Sequence, residues 1–438
     1  MTDQYELTML DAALRDGTAA RRCVFEVFAR RLPRGRRYGV FAGPGRLMEL
    51  LADFRFDQGE LDWLGGRGIV GPATLEYLAA YRFSGTITGY AEGECYFPGS
   101  PVLAVSGSFA ETVVLETIVL SVLNHDTAVA SAASRMTAAA AGRPCLEMGA
   151  RRTHESAALA AARSAAVAGF AGTSVLQAGR AWGIPTIGTA AHAFTLLHDS
   201  ERDAFAAQIA AQGPGTTLLL DTYDVPTAVR LAVETAGPEL ASVRLDSGDL
   251  PVLAGEVRAL LDSLGALRTK IVVTSDLDEH AIAALAVAPG DSYGVGTRLV
   301  TGAGAPTAEM VYKLVAREDA SGALRGVAKR AAEKATLSGA KWAGRRVDDA
   351  GRAVEEVVVT GSGPRPPAPE DYGLRPLDVT YVERGEFQPG WTGAAGVRRA
   401  ARRHAASRAE LPRAACRLSD GEPVIPTVVT PLIASAGA

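Results

Sequence analysis

The chain has 438 residues, 47% hydrophobic and 21% charged, which is sufficient for two or three domains with a large core. Its formal net charge of -4 argues against a general nucleic-acid binder, because such a protein needs a dominant positive field. The four cysteines form no CxxC pair, which argues against a zinc site or a disulfide framework and favours the cytoplasm. The N-terminal residues are not apolar, which argues against a secretion signal. No apolar run reaches the length of about 18 residues expected of a membrane span.

Residues 1–130 are predicted to form a mixed α/β domain. Apolar spacing predicts a helix over residues 5–14, and residues 23–30 are typical of a strand. Pro44 favours the start of a helix that ends near residue 51. The strongly apolar stretch 111–124 predicts a helix that is buried on several sides.

Strands and helices alternate from Cys145 onward, which predicts a parallel α/β domain over residues 131–330. Residues 145–198 are predicted to contain three strands separated by two helices. Further strands are predicted at 216–220, 243–245, 271–273, 293–295 and 310–315. About eight strands would suffice for a (β/α)8 barrel.

Polar residues follow the ends of the first barrel strands. Arg151 and Arg152 come after one strand, and Thr189 and His192 come after another. Residues just past the strand ends face the active site in parallel sheets and barrels, so these four should converge. Two cations at a helix start oppose the helix dipole, which favours an anionic ligand over a plain surface position. A histidine alone is more often structural, but here it would lie beside that anion.

Two later strand ends carry further candidates. In VRLDSGDLP, Ser247 or Asp249 can cap the next helix, but capping leaves Arg244 and Asp246 unexplained. The glycine-rich loop 294–304 follows a late strand, where such barrels often bind phosphate. Glycine-rich turns are common, but this position favours a 5-phosphate site that includes Gly296 and Thr297. No GK[ST] follows, which excludes a Walker A loop.

Residues 331–438 form a C-terminal segment with two biased stretches. The proline-rich residues 361–373 predict an extended connector. The arginine-rich residues 396–413 could form a basic patch, but a solvated helix face is the favoured interpretation.

Seven short motifs carry a resemblance to a known family. EMGARR at 147–152 and GTAAH at 188–192 are accompanied by TDQYELTM, LLLDTYD, VRLDSGDL, TSDLDE and GVGT in the family's order. The chain therefore resembles the nicotinate phosphoribosyltransferase family from Thr2 to about Val315. The resemblance implies a (β/α)8-like barrel of the type II phosphoribosyltransferases, with the C-terminal segment packing back on the N-terminal domain.

The resemblance also implies roles for the residues around the phosphoribosyl group. His192 matches a histidine that ATP phosphorylates, and a neutral imidazole is a competent nucleophile toward a phosphoryl group. Arg135 matches an arginine near the pyrophosphate of phosphoribosyl diphosphate. Arg151 and Arg152 lie in the region of the nicotinate and phosphoribosyl groups, and Asp246 matches the residue that binds the ribose hydroxyls.

A second set of residues is implied for the pyridine ring. The resemblance assigns Arg244 to nicotinate and Thr189 to the ring pocket. Tyr5 matches a tyrosine that stacks on the ring, commonly in the neighbouring subunit's site, which implies a homodimer with shared active sites. Phe170 is a candidate only because of its expected place at a strand tip.

The implied activity converts nicotinate, phosphoribosyl diphosphate, ATP and water into nicotinate mononucleotide, pyrophosphate, ADP and phosphate in NAD biosynthesis, with Mg²⁺ as cofactor. Two departures from the family pattern bear on fine specificity. His125 stands where an aromatic residue is expected, and Ser275-Asp276 stand where an asparagine is frequent.

Two alternatives remain at this point. A related phosphoribosyltransferase could use nicotinamide, which has no charge to match the arginines, or quinolinate, which needs no ATP and hence no such histidine. A non-catalytic sensor could bind a phosphorylated ligand on the same barrel, although a pure binder would not require the histidine of GTAAH.

Overall fold

A computed structural model describes residues 1–33, 35–329, 337–360 and 372–431. The chain forms two compact units: Met1–Ser131 with Thr307–Ala438, and Ala132–Pro306. The first division lies one residue from the expected boundary at 130/131. The second lies at 306/307 rather than at 330/331, so residues 307–330 belong to the first unit.

The N-terminal part of the chain is a mixed α/β segment with clear local signals. Pro44 stands at the start of a helix, and Ser108 starts another through reciprocal hydrogen bonds with Glu111. The expected helix 111–124 is in fact two, because a helix that begins at Phe109 ends at Val113. The elements are α1 Gln4–Asp16, β1 Arg22–Ala29, β2 Gly39–Val40, α2 Pro44–Ala52, α3 Gln58–Gly66, α4 Pro72–Ala79, β3 Thr86–Tyr90, β4 Cys95–Tyr96, β5 Leu103–Ser108, α5 Phe109–Val113 and α6 Glu116–Ala139.

The second unit is a parallel sheet flanked by helices. Its elements are β6 Cys145–Glu147, α7 Glu155–Val167, β7 Gly172–Thr173, α8 Leu176–Trp182, α9 His192–Leu197, α10 Glu201–Gln212, β8 Thr217–Leu219, α11 Val225–Ala236, β9 Ser242–Leu245, α12 Leu250–Ser263, β10 Lys270–Ser275, α13 Glu279–Ala284, β11 Ser292–Val295 and α14 Thr297–Val300. The six strands follow the order β7-β6-β11-β10-β9-β8, and every pairing is parallel.

The expected count of eight barrel strands is wrong for two reasons. Residues 184–188, with Pro185 and Gly188, make only an isolated parallel bridge between Thr186 and Thr173. Residues 310–315 lie in a strand of the first unit, where they pair antiparallel with β1. The first four residues of that strand alternate between buried and half-buried positions, and its Tyr312 ring stacks on Phe25 at 4.7 Å between centroids.

The C-terminal part completes the sheets of the first unit. Its elements are β12 Met310–Glu318, β13 Leu324–Gly326, β14 Lys341–Val347, β15 Ala353–Thr360, β16 Arg375–Pro376, β17 Asp378–Glu383, β18 Glu386–Phe387, α15 Gly393–Glu410 and β19 Thr427–Pro431. One sheet has the order β13-β12-β1-β5-β3-β17-β18, and a second has the order β16-β14-β15-β19. Strands β2 and β4 form a small third sheet.

A buried arginine in the first unit is paired with carboxylates. Arg345, which is fully buried, lies 2.7 Å from Glu356 and 3.6 Å from Glu94. Helix α15 buries His404 and Ser407 against this region and leaves Arg398 and Arg402 exposed. The arginine-rich stretch is thus a helix with a solvated basic face, as predicted.

The proline-rich connector predicted at 361–373 lies outside the described residues except for its last two positions. None of the helices in the described part of the chain combines the length and the apolar character that crossing a membrane would require.

Candidate active site

The carboxyl ends of the parallel strands gather polar residues at one edge of the second unit's sheet. Arg151 and Arg152 follow β6, Asp246 follows β9, and Gly296 follows β11. Strand β10 ends at Ser275. Since parallel strands place all their carboxyl ends on the same edge, residues distant in sequence become neighbours here.

A cavity of about 200 Å³ opens at this edge. It brings together six of the residues predicted from the sequence and five others. The lining consists of Met148, Arg151, Arg152, Arg244, Asp246, Thr274, Ser275, Asp276, Gly294, Gly296 and Thr297. Three arginines and a glycine-rich turn make the lining suitable for an anion of several charges.

Arg244 is the most constrained cation of the cavity. Its Nη1 donates a hydrogen bond to Thr189 Oγ1, while its Nε is buried and has no hydrogen-bond partner among the described residues. Burial lowers the pKa of the Arg244 guanidinium, and the carboxylates of Asp246 and Asp221 act in the opposite direction. A planar guanidinium with an unpaired donor is suited to bind a carboxylate.

Asp246 is held by its neighbours on both sides. Thr274 Oγ1 donates to its Oδ1, and its own backbone N–H donates to Asp221 Oδ2 at 3.3 Å. Ser247 Oγ donates to the same Asp221 oxygen at 2.6 Å. The Asp246 carboxylate is therefore fixed at the strand end, with its second oxygen available to a hydroxyl ligand.

His192 begins α9 and lies beside Asp221 rather than in the cavity lining. Its Nδ1 is 3.1 Å from Thr222 Oγ1, and its Nε2 is 3.9 Å from Asp221 Oδ1. That carboxylate oxygen is buried and has no hydrogen-bond partner among the described residues. The side chain of His192 is 42% exposed, so the imidazole is accessible while each ring nitrogen faces an oxygen.

The glycine-rich loop is shaped by close contacts. A Cβ on Gly294 would lie 2.4 Å from Thr274 Cγ2 and 2.8 Å from Met148 Sδ, so the position has no room for a side chain. Gly296 precedes α14, and Thr297 is the first residue of that short helix. The phosphate site predicted for Gly296 and Thr297 stays a prediction.

Besides His192 and Thr189, three other predicted residues are not in this lining. Arg135 is 8% exposed and donates through Nε to Glu279 Oε1 at 2.9 Å. Phe170 is 6% exposed and precedes β7, so its expected place at a carboxyl end is wrong: it lies at the amino end of that strand. Tyr5 lies on α1 of the first unit and is 46% exposed.

The residues of this region without a predicted role include Asp221, Thr222, Thr274 and Asp276. LLLDTYD and TSDLDE were recognised as motifs, but no role was given to their members. The rule that selected Asp246, a polar residue at a strand's carboxyl end, selects Asp221 and Asp276 equally well.

The donor set of the cavity bears on the expected Mg²⁺. The described residues contain no group of three or more His, Cys, Asp or Glu that could hold a metal ion. Asp246 and Asp276 both line the cavity. Mg²⁺ is usually held by one or two carboxylates together with substrate phosphates, so these residues fit an ion that enters with a phosphorylated substrate.

Comparison with known proteins connects this site to a family. Residues 1–124 match the model of the nicotinate phosphoribosyltransferase (NAPRTase) N-terminal domain. Nicotinate phosphoribosyltransferase pncB1 of Mycobacterium tuberculosis is 55% identical to this chain, across 98% of this chain and 95% of the relative. The chain belongs to the nicotinate phosphoribosyltransferase family.

Two further comparisons extend over much of the chain. The nicotinate phosphoribosyltransferase of Bacillus subtilis is 36% identical over 73% of this chain and 66% of its own length. The crystal structure of human nicotinic acid phosphoribosyltransferase superposes with a TM-score of 0.81 at 26% identity, covering 98% of this chain and 97% of the human one. The α/β fold of the type II phosphoribosyltransferases is thereby confirmed.

Proposed function

We propose that this member of the nicotinate phosphoribosyltransferase family makes nicotinate mononucleotide from nicotinate and phosphoribosyl diphosphate, as a step of NAD biosynthesis. The observation that carries the proposal is Arg244, whose buried Nε has no hydrogen-bond partner in the described part of the chain, in one cavity with Asp246, Arg151 and Arg152. That cavity offers a cation for a ring carboxylate, an acceptor for ribose hydroxyls and two cations for a leaving diphosphate.

The proposed reaction is a displacement at the anomeric carbon of the ribose. The pyridine nitrogen forms a bond to C1 while the bond from C1 to the diphosphate oxygen breaks, through a state with oxocarbenium character. Arg244 orients the ring through its carboxylate, and Asp246 fixes the ribose through its hydroxyls. Arg151 and Arg152 stabilise the charge that develops on the diphosphate. We infer that Gly296 and Thr297 hold the 5-phosphate, and that Thr189 borders the ring.

Mg²⁺ fits this proposal as a cofactor that accompanies phosphoribosyl diphosphate. Asp246 and Asp276 are the carboxylates of the cavity that would hold it. When bound, the ion neutralises charge on the diphosphate.

The coupling to ATP hydrolysis is a separate part of the proposal. A ring nitrogen of His192 bonds to the γ-phosphorus of ATP while the bond to the bridging oxygen breaks and ADP leaves, and water later releases the phosphoryl group as phosphate. Two contacts of the His192 ring support this step. Thr222 Oγ1 lies within hydrogen-bond distance of Nδ1, and the Asp221 carboxylate lies near Nε2. Asp221 also accepts from the Asp246 backbone, so one carboxylate lies between the histidine and the ribose-binding residue.

Tyr5 and Arg135 complete the proposal through the family resemblance. We infer that Tyr5 stacks on the pyridine ring of a partner subunit's site in a homodimer, and its half-exposed ring is compatible with this. Arg135 would support the diphosphate end by holding Glu279 on α13 rather than by facing the cavity.

The experiment that tests the transfer supplies phosphoribosyl diphosphate and Mg²⁺ with nicotinate, nicotinamide or quinolinate in turn. The proposal predicts a mononucleotide from nicotinate and far less from the other two. Turnover of nicotinamide or quinolinate in preference would refute the assignment of the ring pocket. Binding of phosphoribosyl diphosphate without depletion of any base would favour the non-catalytic sensor.

A further inference from the structure

Glu147 is a buried carboxylate at the edge of the site that the proposed reaction does not use. It is the last residue of β6 and is fully buried. Its Oε1 accepts the backbone N–H of Gly149, and its Oε2 accepts the hydroxyl of Thr173. The ion pairs found among the described residues include none to Glu147. Burying a carboxylate without a cation is costly, so its hydrogen bonds are all that offset its desolvation.

The Glu147 side chain joins the carboxyl ends of two adjacent strands. Thr173, which donates to it, is the last residue of β7, and Thr173 Oγ1 also accepts the N–H of Val175 at 3.0 Å. The main chain adds a further link, since Ser174 N–H donates to Glu147 O at 2.8 Å. Burial raises the pKa of the Glu147 carboxyl, and the hydrogen bonds from Thr173, Gly149 and Ser174 oppose that rise.

Gly149 is the turn through which Glu147 reaches the anion-binding residues. It precedes the short 3-10 helix Ala150–Arg152, which carries both arginines of the cavity. A Cβ on Gly149 would lie 2.3 Å from Val300 Cγ1 and 3.0 Å from Gly296 O. The turn is therefore packed against the strand end that carries the glycine loop, and a shift of Gly149 would disturb both parts of the anion site.

We propose that Glu147 is a positioning residue for the phosphate groups of the substrate: it touches no substrate but fixes the Gly149 turn. That turn holds Arg151 and Arg152 where the diphosphate binds and packs against Gly296, where the 5-phosphate binds. This inference rests on the proposed function. Supporting hydrogen bonds of this kind decide whether binding groups reach their productive geometry, where about 1 Å of misplacement can cost a hundredfold in rate.

A purely structural role predicts a different result, and the chain offers a matched control. Glu92 in the first unit is also a buried carboxylate, 3% exposed, that accepts backbone N–H groups, from Gly43 at 2.8 Å and Gly45 at 3.2 Å. Glu92→Gln makes the same chemical change as Glu147→Gln at a place that belongs to the other unit. Thr173→Val and Thr173→Ser form a second pair, in which only the serine keeps the hydroxyl.

The test measures the Kd of inorganic diphosphate with Mg²⁺ by calorimetry on the full chain, together with the KM of each substrate and the melting temperature. We expect Glu147→Gln and Thr173→Val to weaken diphosphate binding and raise the KM of phosphoribosyl diphosphate by about tenfold or more. The KM of nicotinate should change by less than about twofold, and Thr173→Ser and Glu92→Gln should bind diphosphate like the wild type.

Several outcomes would overturn the inference. Unchanged diphosphate affinity in Thr173→Val would do so, as would an equal loss in Glu92→Gln, since that loss would follow from destabilisation alone. If Glu147→Gln does not fold, the valine and serine variants of Thr173 decide the matter. Failure of the proposed function would give a different result, because the wild type would then make no nicotinate mononucleotide. The diphosphate affinities of the wild type and the variants would still show whether Glu147 positions the anion-binding residues.

Discussion

Arg244 Nη1 donates to Thr189 Oγ1, so the end of β9 and the loop that leads to His192 meet at one guanidinium. The bond orients the plane of Arg244 while its buried Nε stays without a partner among the described residues. An arginine side chain whose guanidinium is already oriented loses less conformational entropy on binding a carboxylate than a freely rotating arginine does. If nicotinate binds as proposed, this residue pair should provide selectivity for an anionic ring.

Removal of the Arg244 guanidinium should weaken nicotinate binding specifically. Hydrogen bonds to charged groups contribute about 1.5–3 kcal/mol, so Arg244→Gln should raise the KM of nicotinate about 10- to 150-fold. Steady-state kinetics with nicotinate and nicotinamide checks this, with Arg230→Gln on the exposed face of α11 as control. A variant whose KM for nicotinate equals that of the control would exclude Arg244 from the ring pocket.

Asp221 should matter for ATP coupling more than for the transfer itself. Asp221→Asn removes the negative charge 3.9 Å from His192 Nε2 but preserves the shape of the side chain. We expect phosphorylation by labelled ATP to fall about tenfold or more, in line with the loss of a charged orienting group. The rate without ATP should fall much less. An unchanged extent and rate of labelling would show that the carboxylate does not assist the histidine.

Strand ends could be predicted from the sequence, whereas pairing partners could not. Arg244 and Asp246 lie at a point where an apolar run of the sequence breaks into polar residues, and both line the cavity. Residues 310–315 have the same apolar character, but their partner is β1, which lies almost three hundred residues earlier. A local pattern carries no information on which sheet a strand joins. For this reason the sequence predicts more barrel strands than the sheet of the second unit contains.

Side-chain partners within the site were equally invisible to a linear pattern. The contact of Asp221 with Ser247 joins residues from two different strand ends, and its approach to His192 depends on the path of α9. Phe170 was misplaced for a related reason. The apolar run before Gly172 is largely the end of α7 and a turn, so the residue taken for a strand's end precedes the strand.

The buried His404 should make the folded chain sensitive to acid. Burial lowers its pKa to about 4 from the usual 6.5, and its Nδ1–H donates to Gly93 O at 3.3 Å. Below pH 6.5 the unfolded chain takes up a proton that the folded chain resists, so stability falls as the pH falls toward about 4. The slope from this residue is at most about 1.4 kcal/mol per pH unit.

Urea unfolding of the wild type and of His404→Gln between pH 4 and 7.5 checks this prediction. The difference in unfolding free energy between the two should shift in favour of the variant as the pH falls. If the unfolding free energies of the two proteins changed in parallel with pH, His404 would have the same pKa in the folded and the unfolded chain.

Tyr5 provides a test of the shared active site. Tyr5→Ala and Arg244→Ala should each lose most activity, and mixing them after reversible dissociation should restore it if Tyr5 acts in the partner's site. Only a mixed dimer contains one site with both residues intact, so random mixing predicts about a quarter of the wild-type sites. No gain on mixing, with mixed dimers demonstrated by tagged subunits, would place Tyr5 in its own subunit's site or outside any site.

The most direct test of the central proposal compares product formation from nicotinate, phosphoribosyl diphosphate and Mg²⁺ with and without ATP. The variants are His192→Ala and, as a control at the residue that follows the same helix, His198→Ala, whose Nδ1–H donates to Phe194 O at 2.8 Å. We predict nicotinate mononucleotide in all three proteins and a stimulation by ATP that only His192→Ala loses. Equal stimulation in His192→Ala would contradict the phosphohistidine, and absence of product from the wild type would contradict the transferase itself.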